Sequence, residues 1–148
     1  MPTAPAIADM GAWGPGTFDN DDAADWVDEL LGAADLAPAR EALAATMDSD
    51  GWLEIPEGAR AAAAAAAVAS SMDGDVRGLP DEVVEWLESH PGAGTLADAR
   101  LAIDALERVA SVDSELREVW LEAASGPAWV EEIARLVYRL AHVVGDTL

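Results

Sequence analysis

Residues 57–72, EGARAAAAAAAVASSM, decide the architecture. Alanine combines the best helix propensity with almost no side-chain bulk. The unbroken alanines from Ala61 to Ala67 therefore predict a helix, Glu57 to about Met72, that its neighbours can approach closely and that belongs at the centre. Pro56 opens it in the first turn, where a missing N–H costs nothing. The apolar run from Arg60 to Ser70 is too short to span a bilayer.

Outward from that helix the chain reads as a series of amphipathic segments. From Asp21, the residues Ala23, Trp26, Val27, Leu30, Leu31 and Ala34 recur at helical spacing, with Asp22, Asp25, Asp28 and Glu29 on the opposite face. A second helix, about Ala37 to Met47, carries Pro38 in its first turn and turns Leu43 and Met47 inward. Beyond the loop 73–78, Pro80 and Asp81 start a short fourth helix, Val83 to Ser89, with Val83, Trp86 and Leu87 buried. Thr95 caps a fifth, burying Leu96, Ala99, Ile103, Leu106 and Ala110. Ser114 caps a sixth, burying Leu116, Val119, Trp120 and Ala123. Gly126 and Pro127 stop that helix and open a seventh, Ala128 to about Val144, on the face Trp129, Ile133, Leu136, Val137 and Leu140. The only alternating stretch, Trp52 to Ile55, is too short and too close to Pro56 to seed a sheet. The expectation is an all-α fold: a compact single-domain irregular bundle of about six to seven amphipathic helices over 11–148, with a Gly/Trp-rich N-terminal loop. Residues 1–10, small and aperiodic, read as a disordered leader with Met10 as the natural start.

The totals exclude much chemistry. No cysteine is present, so disulfides, thiolate catalysis and Cys-ligated zinc are out. The chain carries 29 acidic residues against 8 basic ones, all arginine, for a formal charge of −21. Direct nucleic-acid binding would meet phosphate repulsion without a basic stripe, because the arginines are scattered singly from Arg40 to Arg139. No signal peptide or membrane span is legible, and a cytoplasmic protein is expected. Without lysine there is no P-loop or Schiff-base chemistry, and no Ser elbow or HExxH pattern occurs. No catalytic motif is found, and the reading is a protein that is not an enzyme. His90 and His142 both stand at helix ends, where they read as capping or surface groups.

The opening string Gly11-Ala12-Trp13-Gly14-Pro15-Gly16-Thr17-Phe18-Asp19-Asn20-Asp21 contains the parts of a helix start. Asp19 or Asn20 serves as N-cap, acids follow in the first turn, and Gly14 and Gly16 let the segment fold back to bury Trp13 and Phe18. This head, with Asp25-Trp26 and Glu29-Leu30, resembles a bacterial family known as domain of unknown function 4259. Trp52-Leu53-Glu54, Pro56-Glu57-Gly58, Leu79-Pro80, and Asp113 to Arg117 with Trp120 fit the same pattern. The resemblance covers nearly the whole chain after the leader and implies no activity.

Two segments offer oxygen ligands to a hard cation. Asp19 and Asp21 are one. The other, Thr46 to Glu57, aligns with an EF-hand loop, placing Asp48, Asp50, Gly51 and Glu57 at ligand or turn positions. Thr46, however, stands where the anchoring carboxylate belongs, and Pro56 restricts Glu57. Calcium or magnesium binding at Asp19–Asp22 or Asp48–Glu57 is thus an alternative, and otherwise no cofactor is expected.

No basic residue precedes Arg40, while eight acids do. That one-signed end leads to the favoured expectation, an interaction protein of immunity or antitoxin type that receives a basic protein partner. Trp13, Asp22, Asp25, Asp28, Glu29 and Trp52 are its candidate contacts. A third reading is a purely structural domain in which Trp13, Gly14, Gly16, Phe18, Asp19, Asn20 and Trp26 serve only the fold. Oligomeric state is not legible.

Overall fold

The computed structural model describes residues 11, 12 and 14–146. The leader, its proposed start at Met10, and Trp13 lie outside the described residues. Among the described residues seven helices follow one another, with no strands and only two isolated bridges. The chain is all-α.

Helix α1 (Asp21–Leu31) begins at Asn20, whose side chain accepts from the Ala23 N–H at 2.8 Å. It buries Ala23, Trp26, Val27 and Leu30. Gly32 ends it, so the spacing that pointed Leu31 and Ala34 inward fails there. Leu31 is 40% exposed and Ala34 lies beyond the helix. Helix α2 (Ala37–Asp48) buries Ala39, Leu43 and Thr46. Met47, expected inside, is 44% exposed. Thr46 takes the inward position because its hydroxyl donates back to the Ala42 carbonyl at 3.1 Å and enters the core satisfied.

Helix α3 (Ile55–Asp73) occupies the centre and touches each of the other six helices. From Gly58 to Ser70 all of it except Arg60 is buried. Small side chains make that possible: neighbours pack against the helix on nearly every side without a bulky layer between them. Gly74, at φ +76°, ends it in the left-handed region.

Helices α4 (Asp81–Ser89) and α5 (Leu96–Val109) pack around this centre, with Val83 and Trp86 inward from α4. Thr95 and Asp98 form a reciprocal capping box at the start of α5. Ala110, expected inside, is exposed because α5 ends at Val109. Leu96 and Ile103 are only half-buried. Helix α6 (Glu115–Leu121) starts at Ser114, which accepts from the Arg117 N–H at 3.3 Å.

Helix α7 (Gly126–Asp146) begins two residues before the expected Ala128. A Cβ at Gly126 would stand 2.3 Å from the Trp120 carbonyl oxygen, so only glycine permits the tight passage between the two helices. Trp120 and Trp129 stack across it at 6.3 Å. The other buried indoles among the described residues, Trp26 and Trp86, donate to the Pro38 and Ala33 carbonyls, both at 3.1 Å, fastening α1 to the first turn of α2 and α4 to the α1–α2 connection.

Residues Trp52 to Ile55 form no sheet. Leu53, fully buried, makes one parallel bridge to Ser114, its N–H donating to Asp113 at 2.8 Å while its carbonyl accepts from Glu115 at 2.9 Å.

Candidate functional site

The head loop closes on itself. The Asp21 N–H donates to the Gly11 carbonyl at 2.9 Å, and Ala12 pairs with Asn20. Asp19 accepts from the Gly16 N–H at 3.1 Å, and a Cβ on Gly14 or Gly16 would come within 2.7 or 2.6 Å of its carboxylate. The two glycines therefore leave room for Asp19 to be wrapped by backbone. Ala12, Thr17 and Phe18 are buried beneath. Asn20 rather than Asp19 is the N-cap.

The acids proposed for a cation are dispersed. Asp48 and Asp50 are exposed, Thr46 is buried in α2, and the Gly51 carbonyl accepts from the Arg108 guanidinium. Glu57 lines a different cleft. Among the described residues no three carboxylates or histidines gather around one ion position.

The cleft that Glu57 lines lies between α1, α2 and the start of α3 and measures about 190 Å³. Glu29, Glu41 and Glu57 surround it over an apolar floor of Trp26, Pro38 and Ala42, and Arg60 is its only cationic wall residue. Asp22 and Asp25 share a flank of α1 with Glu29, at helical positions three, four and seven apart. The Asp22 carboxyl is pushed above the ordinary carboxylate range, first by burial and then by Asp25 and Asp21, with Arg60 pulling against them. Here Arg60 offsets only part of the acidic field.

The other candidate contacts fall differently. Asp28 is exposed one step round α1. Trp52, 46% exposed, stands on the segment bridged to Ser114 rather than on α1. Glu41 and Arg60 were missed by sequence reasoning, and Glu57 was read only as a cation ligand, since nothing in their spacing says that α2 and α3 present them to α1.

Two acids elsewhere are held across helices by arginines. Arg139, 9% exposed, holds Asp73 through two bonds of 2.8 Å and also donates to the Asp75 carbonyl and the Ser70 hydroxyl. The Asp73 carboxyl is partly desolvated, which alone would raise its pKa, yet the Arg139 bonds and the Asp75 N–H bring it below the ordinary value. Arg40 grips Asp98 at 2.8 and 3.0 Å. These arginines tie distant helices together.

With this geometry in place the family can be read. The family profile described as Domain of unknown function (DUF4259) matches residues 11–132. The chain belongs to this family. No curated protein and no solved structure matches it. The match to the DUF4259 domain spans the head loop, the acidic cleft and the first turns of α7. Within the DUF4259 domain of this chain, no described helix is long and apolar enough to cross a membrane.

Proposed function

We propose that this protein is a cytoplasmic binding module, of immunity or antitoxin type, that receives a basic protein partner on the α1 flank and its cleft. The observation that carries this reading is the cleft itself: three glutamates around an apolar floor, extended by Asp22 and Asp25. A lysine or arginine side chain fits such a place, its aliphatic stem against Pro38 and Ala42 and its charge beside the carboxylates. A bound cation would also favour ionised Asp22, whose pKa burial first and then Asp25 and Asp21 raise. The chain-wide charge of −21 steers basic partners toward the surface and repels nucleic acid.

Two tagged variants with equal charge change provide the test in lysate of the native host. Asp22→Lys/Asp25→Lys/Glu29→Lys should lose a basic protein that the wild type retains in near-equal amount, and salt should weaken retention of that protein by the wild type. Asp81→Lys/Glu82→Lys/Glu85→Lys, on exposed positions of α4, should still retain it. Retention by both variants, or no basic protein retained by the wild type, would overturn the reading.

A further inference from the structure

Helix α7 has more apolar surface than its packing on the core uses. Trp129, Ile133, Leu136 and Leu140 are buried, yet Val130, Ala134, Val137 and Ala141 continue a second stripe beside them, facing outward at least in part. A surface helix ordinarily needs one apolar stripe. The second stripe edges an apolar cleft of about 520 Å³ between α5, α6 and α7, and a further 380 Å³ hollow adjoins it through Leu121 and Val130. Tyr138, on the same helix, projects from the surface at 72% exposure.

Charge narrows what can cover this stripe. Every approach of one chain to another brings together two surfaces of net −21, so close contact needs a face poor in acids. From Ile133 to Gly145 helix α7 contains no Asp or Glu, while its Arg135 and Arg139 are already engaged with Glu132 and Asp73. The rim charges of the larger cleft, Glu107 and Arg117, are opposite in sign. The face is also self-complementary, with a projecting aromatic and a hollow on one helix. If two α7 helices run antiparallel about a two-fold axis near Leu136, Tyr138 of each copy falls opposite Ala134 of the other, beside its cleft. Glu131 then falls opposite the His142 end.

We infer that a second copy of this chain covers the outer stripe of α7, giving an isologous dimer with the acidic α1 flank left open on each copy. Sedimentation or light scattering across micromolar concentrations should give twice the monomer mass of 15.4 kDa. Because repulsion between the two charged bodies opposes this contact, added salt should tighten the dimer, the reverse of its effect on capture of a basic partner. Ala134→Glu and Tyr138→Glu each place two carboxylates at the axis and should loosen the dimer by at least about 100-fold. Both positions are exposed, so the helical circular dichroism should be unchanged. Met47→Glu, an exposed apolar site on α2, should leave the dimer intact. A monomer at every concentration, a dimer that survives both α7 variants, or a dimer dissolved by salt would overturn the inference.

Discussion

Asp98 at the start of α5 and Asp22 at the start of α1 are the same residue type in the same part of a helix, and the fold treats them oppositely. Asp98 closes a capping box with Thr95 and is held by Arg40, so despite burial its carboxyl is brought below the ordinary range. Asp22 is partly buried with Asp21 and Asp25 beside it, and its carboxyl is pushed up. The first arrangement stabilises the bundle when ionised; the second works against it. The fold thus separates Asp73 and Asp98, held across helices by arginines, from the crowded Asp22 and Asp25 of α1.

Removing Asp98 should have the largest effect. Asp98→Ala deletes the capping box and leaves Arg40 without its carboxylate. Arg40 is 38% exposed and can partly rehydrate, so the expected loss is about 3 kcal/mol rather than the upper range for buried pairs. Thermal unfolding should show a fall of several degrees. An unchanged Tm would erase the contrast between the two regions.

Acidification should separate them more finely. Asp73 and Asp98 have native pKa values below the reference of 3.8, so their contribution is present above that value and is lost as pH falls below it through the native values. Asp22 has a native pKa above 3.8, so its unfavourable contribution at neutral pH is relieved as pH falls toward that reference. Melting temperature should therefore hold or rise from about pH 7 to about pH 5 and decline below about pH 4. In Asp98→Ala the decline should be shallower.

The elements of the fold were legible where local rules governed them. Trp26 and Leu30 on α1, the caps at Thr95 and Ser114, and the alanine run of α3 follow from spacing and propensity, and each stands where those rules put it. The rules failed at boundaries. Ala34 and Ala110 continue an apolar period past Gly32 and Val109, where the helices have already ended. Met47 lost its inward place to Thr46 because a hydroxyl can return its hydrogen bond to the preceding turn. The arginine pairs were invisible for another reason. Arg40 meets Asp98 across 58 residues and Arg139 meets Asp73 across 66, and only tertiary packing joins them. The acidic cleft shares that origin. Asp22, Asp25 and Glu29 were readable on one helix, whereas Glu41, Glu57 and Arg60 join them from two others.

The smallest effect on stability is expected where the effect on function is greatest. Asp22→Asn/Asp25→Asn/Glu29→Gln keeps the shape of the α1 flank and removes its charge. Measuring Tm and partner retention on this one variant tests whether the flank serves a partner rather than the fold. The account predicts a Tm equal to or above that of the wild type, with retention of the basic partner lost. A Tm lowered as far as in Asp98→Ala, with retention unchanged, would contradict it.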